Sequence, residues 1–428
     1  MQDLIERIEQ ANRTAAQRII DSKPMLIDVR IAGEWIEGMK ENDIFHSGPP
    51  IAFKDMCDSQ KGAVIGAVLY EGLAKDAREA EALCLEGAIN LSPNHHHNGV
   101  GGMAGVISRS TPLYIFKDAT HGHYSYAGCL TERLIFGGYD QKTMEDIRWT
   151  NEVLAPSIGA AIRASGGLDI KSVMAKGIHM GDELHNRGNA ATAELIRQLF
   201  PWLVESEVSR TTLKAVSDFL AVNDQYFLFI GYGACKSMMM SAENIEYCSL
   251  ITAMSRNGVS FGIRVSGLGD EWFTGAAGLV QGPTFPGFKQ EDGEKDIGDS
   301  SITETAGLGA FIMAGAPAIL RIIGGTVSQA RNYTENMYRI TETTNPNFSV
   351  PVLDFRGAPI GIDIRKVVES GIIPVLDTAM THVKRGVGEM IGAGIVKLPM
   401  DPFEKAFISF GEKYIHAPEP GIDQLEGK

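Results

Sequence analysis

From about Thr143 to Ala242 the chain carries long helical patterns and almost no strand signal, while the residues on either side alternate between short strands and helices. Hydrophobic periodicity is the main guide to such assignments. It predicts a helical domain or insert set between two mixed regions. The expected fold class is therefore α+β (mixed α/β): two α/β-type domains with a predominantly helical middle region. The expected division is an N-terminal α/β domain over 1–142, a helical domain or insert over 143–247 and a C-terminal α+β domain over 248–428.

Within the first region, apolar residues at Leu4, Ile5, Ile8, Ala11, Ala15 and Ile19 predict a helix over 1–20, followed by a short buried strand M-L-I-D-V. Helices are expected over 62–70 and 76–86, strands over 88–91 and 112–116, and the end of a helix over 131–136. In the middle, Asp182, Ser209 and Asn223 or Asp224 are the expected N-caps of three helices. The last of these, Q-Y-F-L-F-I-G-Y-G-A-C-K-S-M-M-M, is apolar on nearly every side and should lie centrally. Its methionines are read as core filler. Alternation returns after Cys248 with a hairpin turning at Ser255-Arg256-Asn257-Gly258, since Asn-Gly tolerates φ > 0 at both turn positions. A third strand is expected near 271–274. The Gly/Pro-rich, acidic stretch 281–300 reads as a lid or a disordered excursion. Helices are expected over 301–314, 328–341, 364–370 and 402–414, strands over 350–355 and 372–377, and a loose tail after Pro418.

Lys+Arg 39 against Asp+Glu 53 leaves a net charge of -14, which argues against nucleic acid or an anionic membrane as partner, because both call for a basic face. No run of about 18 apolar residues predicts a membrane span. The charged amphipathic N-terminus does not resemble a signal peptide. Cys57, Cys84, Cys129, Cys235 and Cys248 are odd in number and widely spaced, which favours reduced thiols and a cytoplasmic protein.

The stretch with the most chemistry is N-H-H-H-N-G-V-G-G-M-A-G, Asn94 to Gly105. Histidine titrates nearest neutrality, and glycine lets a ligand approach bare backbone. Neighbouring side chains diverge on an extended backbone, so His95 with His97, or His96 alone, could share a site. The spacing matches no zinc motif, and no metal is expected. His95 and His96 are the candidate acid/base residues, and Gly101 and Gly102 candidate amide donors. In G-D-S-S-I-T-E-T, Ser301 and Glu304 have capping-box spacing, while Ser300, Ser301 and Thr303 could present a helix start to an anion. Arg256 and Arg264 are the candidate cations, Arg264 because it lies inside an apolar strand and needs a partner. In G-D-E-L-H-N-R the H-E-x-x-H spacing is lacking, so a zinc peptidase is excluded; Glu183 and Arg187 read as an ordinary i,i+4 pair. Asp377 and Thr378 fall near a strand end, where ligands of mixed folds gather. Neither a dinucleotide fingerprint nor a P-loop is present, so no nucleotide cofactor, and indeed no cofactor, is expected.

Several segments together resemble a known family: the histidine–glycine stretch, K-G-A-V-I-G-A-V-L-Y-E-G-L-A-K-D at 61–76, G-D-E-L-H-N-R, M-S-R-N-G-V-S-F-G-I-R-V-S-G-L-G, G-D-S-S-I-T-E-T and I-D-I-R-K-V-V-E-S-G-I-I-P. The chain resembles the YlbE/YahG-like family, long of unknown function, which includes the AllG subunit of bacterial oxamate carbamoyltransferase. The resemblance runs from about Ala11 to Phe410. It implies two unusual α+β domains with a helical portion and a place in allantoin degradation. There oxalurate and phosphate are converted to oxamate and carbamoyl phosphate, with AllF-like and AllH-like subunits as partners in an oligomer. It carries over no catalytic residues. Carbamoyl transfer passes through a developing oxyanion and needs amide donors, a cation and an acid/base group. Glycine loops, Arg264 or Arg256, and His95 or His96 could supply these. Two other readings remain: a non-catalytic scaffold subunit of that complex, or a metal-dependent amidohydrolase.

Overall fold

In the computed structural model, residues 2–415 are described; the expected loose tail after Pro418 lies outside them. The protein is α+β. A five-stranded sheet runs in the order Gly99–Val100, Tyr124–Gly128, Pro112–Asp118, Pro24–Ile31, Leu168–Asp169. Its pairings are antiparallel except that of Gly99–Val100 with Tyr124–Gly128, so this is not a sheet built from right-handed crossovers. The middle helices Ala155–Ser165, Ile170–His179, Asn189–Glu205, Arg210–Val222 and Phe227–Met240 pack with it. One core takes in Leu26, Tyr114 and Phe116 of the sheet, Ile158, Leu195, Phe227 and Met238 of the helices, and Ile302, Phe348 and Ile360 from the C-terminal part. A second core gathers around the four-stranded sheet Phe273–Ala276, Ser260–Val265, Ile251–Asn257, Ile297–Gly298 and the three-stranded sheet Val280–Gln281, Met390–Val396, Leu376–Thr381.

Helix Phe227–Met240 is central, as its sequence implies: its buried face includes Ile230, Tyr232, Ala234, Cys235, Lys236, Met238 and Met239. Gly233 makes the contact with the sheet possible, because a Cβ there would lie 2.2 Å from the Phe116 ring. The N-terminal helix Gln2–Asp21 is tied to the C-terminal part through buried Asn12, which donates to Ser249 Oγ (2.9 Å) and Asp363 Oδ2 (3.2 Å). Helix Asp58–Tyr70 packs so closely on the Phe136–Gly138 turn that a Cβ at Gly62 would meet the Gly137 carbonyl at 2.2 Å.

Several elements depart from the sequence expectation. The hairpin turn sits two residues later, at 257–260: Arg256 lies inside a strand and is fully buried, while Gly258 (φ 78) turns the chain and Asn257 Oδ1 accepts from Val259 and Ser260 N–H. Residues 281–300 are ordered against the three-stranded sheet, with bridges Thr284↔Gly392 and Gly293↔His382. The helix expected over 301–314 breaks into Ile302–Thr305 and a 3-10 run Gly309–Gly315, because Gly307 (φ 82) and Gly309 (φ 56) turn the backbone left-handed. Residues 350–355 end one strand and enter a 3-10 turn; the hairpin is Thr341–Val350 with Arg356–Ile362. Leu376–Thr381 begins four residues after the expected start, and the strands Tyr124–Gly128 and Met390–Val396 carry no strong alternation. By contrast Ile364–Ser370 forms as expected, and Ser209 Oγ caps its helix by accepting from Thr212 N–H at 3.0 Å.

Candidate functional site

The parallel pair Asp43–His46 and Asn90–Pro93 delivers both the His46–Pro49 turn and the histidine stretch to one place. Asn94–His97 is a 3-10 turn closed by Asn98 in the left-handed region (φ 63). The fully buried Asp299 holds this place together. Its Oδ1 accepts from Gly48 N–H (2.9 Å) and Ser255 Oγ, and its Oδ2 from Asn94 Nδ2 (2.8 Å) and Gly101 N–H (2.9 Å). Burial raises the Asp299 pKa, and these donors pull it back. Gly101 is required by the closeness of the packing: a Cβ would stand 2.8 Å from Asn94 Nδ2. At Gly102 a Cβ would stand 2.4 Å from the Phe229 ring.

On the 3-10 turn the three histidines part company, but not in the way an extended backbone would direct. His95 and His96 both face Trp272, with ring centroids 5.6 and 6.4 Å away, whereas His97 stacks on Phe45 at 3.7 Å and meets Ser92 Oγ at 2.6 Å. His95 is enclosed, 3.7 Å from Asp299 Oδ1, and neither ring nitrogen has a hydrogen-bond partner. Burial first, then the positive charges of Lys236 and Arg264, hold its pKa well below the usual imidazole range, so the ring is neutral at pH 7. His96 is exposed and accepts from Trp272 Nε1–H at 2.9 Å. An indole N–H can only donate. His96 Nε2 is therefore the acceptor, and in the neutral ring Nδ1 carries the proton.

Two cations stand behind this pair. Lys236 is fully buried and donates to Glu243 Oε1 at 2.9 Å. Arg264, also buried, pairs with Asp270 and lies 4.0 Å from Glu243; its guanidinium carbon is 6.0 Å from the Trp272 ring centroid. Its Nε has no partner.

The same 296–304 segment leads to a second polar cluster. Arg256 Nε donates to Asp296 (2.7 Å), and its terminal nitrogens to Gly298 O (2.7 Å), Ser300 Oγ (3.4 Å) and Thr378 Oγ1 (3.2 Å). Beyond it lie His185, Glu304 and Asp377, all buried. His185 Nδ1 is 2.6 Å from Glu304 Oε1 and 3.9 Å from Asp377 Oδ1. Burial pushes Glu304 up to about 8 and Asp377 to about 7, with repulsion between them adding to Asp377, and takes His185 down to about 4. Glu183 is raised well above the carboxylate range by burial and by its neighbours Asp377 and Glu304.

Residues 181–188 form a loop and not the start of a helix. Glu183 accepts from the N–H groups of His185, Asn186 and Arg187 at 2.6–2.7 Å instead of pairing with the Arg187 side chain, which turns to Asp182 at 3.5 Å. Asp182 nonetheless serves its helix from a distance, accepting from Ala191 N–H at 2.8 Å. The capping box of Ser301 and Glu304 does not form: Ser301 Oγ donates to Met254 O, and Glu304 turns inward to His185. Ile302 and Thr303 N–H bond back to Asp299 and Ser300 carbonyls, which closes the helix start on itself. Thr303 Oγ1 is buried without a partner.

Of the residues singled out from the sequence, His95, His96, Gly101 and Arg264 come together around Trp272 and Asp299, with Gly102 beside Gly101. Arg256 and Ser300 sit on the Glu304 side of the 296–304 segment. Sequence reasoning missed Lys236, whose signal was a lone charge in an apolar helix, and Trp272 and Asp299; it placed Asp377 near a ligand-gathering strand end and read Glu304 as a cap, but no local spacing announces that the two meet His185.

The model of the oxamate carbamoyltransferase subunit AllG family matches residues 89–300, which holds the histidine turn and runs to Ser300. The chain is 44% identical over 414 residues to the uncharacterized protein YahG of Escherichia coli, covering 96% of this chain and 88% of that one. It is 40% identical over 411 residues to the oxamate carbamoyltransferase subunit AllG of the same organism, covering 95% and 98%. A crystal structure of a conserved protein of unknown function from Enterococcus faecalis superposes with a TM-score of 0.93 at 44% identity, over 95% of this chain and 98% of that chain. The chain belongs to the family that includes YahG and the oxamate carbamoyltransferase subunit AllG.

Proposed function

We propose that this protein is a subunit of an oxamate (oxalurate) carbamoyltransferase of allantoin breakdown, interconverting oxalurate plus phosphate and oxamate plus carbamoyl phosphate. The observation that carries the reading is the 40% identity to AllG along nearly the whole of both chains. The residues around Trp272 support it. Both substrates are anions, and Arg264 with Lys236 brings buried positive charge to an otherwise acidic chain. Attack of phosphate on the carbamoyl carbon places charge on its oxygen, and the departing oxamate nitrogen needs a proton. His96, exposed and proton-bearing on Nδ1, is the proposed acid/base group, with neutral His95 behind it; Gly101 N–H, expected as an amide donor, is taken by Asp299, which leaves the Gly102 backbone for the oxyanion side. Arg256, Ser300, Ser301 and Thr303 position the wall on which Asp299 is held. The further subunits are proposed to be AllF-like and AllH-like, in an oligomeric complex in the cytoplasm.

The test is to co-express the chain with those two partners and assay carbamoyl phosphate formed from oxalurate and phosphate. The wild-type complex is expected to turn over, and His96→Ala to lose about 10²- to 10⁴-fold of the rate, the usual worth of a general acid/base group. Arg264→Ala should raise KM for the anions. A folded, assembled wild-type complex that makes no carbamoyl phosphate would refute the assignment. Assembled variants that both keep near-wild-type turnover would make this chain a scaffold for partners that hold the chemistry.

A further inference from the structure

The second polar cluster has a composition that the transferase reading leaves unused. His185 comes from the 181–188 loop, Glu304 from the segment after Asp299, and Asp377 from the strand Leu376–Thr381, so three remote parts of the chain meet in one buried place. One ligand atom from each lies within 4.8 Å of the other two. Glu304 Oε1 is occupied by His185 and Ala310 N–H (3.1 Å), and Asp377 Oδ2 by Asn186 Nδ2 (2.9 Å). The remaining oxygens, Glu304 Oε2 and Asp377 Oδ1, are buried with no partner, and Asp377 Oδ1 is the atom that faces His185 Nδ1.

Charge makes the need sharper. Glu183, Glu304, Asp377 and Asp296 are buried close together, and the guanidinium nearest them, Arg256, is already spent on Asp296. Ionised carboxylates buried together repel, so without a cation burial keeps them protonated, and a bound cation would supply the counter-charge in place of the proton. The Glu183 carboxyl, accepting from three backbone N–H groups, is fixed beside the triad.

We propose that His185 Nδ1, Glu304 and Asp377 Oδ1 bind a divalent first-row cation, Mn²⁺ or Zn²⁺. One imidazole nitrogen with carboxylate oxygens and no thiolate selects that class; Mg²⁺ prefers an all-oxygen shell that retains water. With Glu304 Oε1 held by His185 and Ala310, the open donors are Glu304 Oε2 and Asp377 Oδ1, and His185 Nδ1 joins them once a cation replaces its hydrogen bond. All the donors are buried, which marks a closed, structural site that pins the 181–188 loop and the strand end at Asp377 to the segment carrying Asp299. His185 is held from its backbone side by Tyr232, whose hydroxyl donates to the His185 carbonyl at 3.0 Å. The inference is independent of carbamoyl transfer and is tested without an activity assay.

The intact chain is expressed in metal-depleted medium and titrated with MnCl₂ or ZnCl₂, with bound metal measured by mass spectrometry and stability by thermal melting. The expected result is one equivalent of tightly held metal, a rise in Tm of several degrees from preferential binding to the folded state, and loss of both in Asp377→Asn and Glu304→Gln. Folded wild-type protein that takes up neither ion, with an unchanged Tm, would overturn the proposal. So would variants that fold and retain the metal. The wild-type titration decides the matter even where a variant fails to fold.

Discussion

His46 shows how far one side chain can be shifted by its surroundings. It is fully buried; Nδ1–H donates to the Ser47 carbonyl at 2.9 Å, while Nε2 has no partner, and burial lowers its pKa to about 4. In the unfolded chain the ring titrates near 6.5. Between those values the unfolded state binds the extra proton, so stability is complete above about pH 6.5 and falls as pH drops toward 4. A shift of this size corresponds to about 3 kcal/mol at most. The expected outcome for His46→Gln, which carries no titrating ring, is a shallower fall in urea-melt stability from pH 6.5 to 4 than in wild type. Parallel curves for the two proteins would refute it. The histidines of the 94–97 turn are held down by the same desolvation, and there the physics matters for function: a neutral ring can donate and accept, whereas an imidazolium only donates.

Among the elements, helix Phe227–Met240 makes the sharpest case, because its local preference and its packing disagree. Glycine inside a helix costs about 1 kcal/mol relative to alanine, so Gly233→Ala would stabilise the isolated helix. Against Phe116 the added methyl meets ring atoms at 2.2–2.9 Å, and overpacking of that kind costs about 1–3 kcal/mol. The clash wins. Gly233→Ala is expected to lower stability by about 1–2 kcal/mol, measured by denaturant titration. Gly411→Ala in helix Asp401–Tyr414 should raise it by about 1 kcal/mol, since the nearest atom to its Cβ is 3.9 Å away. Equal effects at the two positions would show that propensity, and not contact, governs both. The element that sequence patterning misread, 301–314, failed for a related reason. A glycine-rich apolar run reads as a helix, yet Gly307 is driven to φ 82 by its approach to the Pro359 carbonyl, which would stand 2.0 Å from a Cβ.

For the whole molecule, Asp299 is the tie between distant parts. Its four donors come from the 48, 94, 101 and 255 positions, so one carboxylate joins the N-terminal turns to the C-terminal hairpin. Each oxygen accepts twice, and neither can be exchanged for an NH₂ group without opposing two donors. Asp299→Asn is therefore expected to cost about 2–4 kcal/mol, the loss of charge-assisted bonds plus unsatisfied partners, and to weaken the placement of His95 against Trp272. Near-wild-type stability of that variant by urea titration would refute the role. By itself the sequence determined the family, the α+β class, the helical middle and the central burial of the segment before Met240. Those follow from periodicity, turn residues and motif strings, which are local. Local spacing could not say that His95 and His96 share Trp272, because a 3-10 turn replaced the extended backbone assumed for them. Nor could it place Arg256, which belongs inside a strand, or Glu304, which leaves its capping box for His185. Those outcomes depend on contacts across long stretches of chain, where burial and charge set which polar groups must meet, and only the tertiary structure decides them.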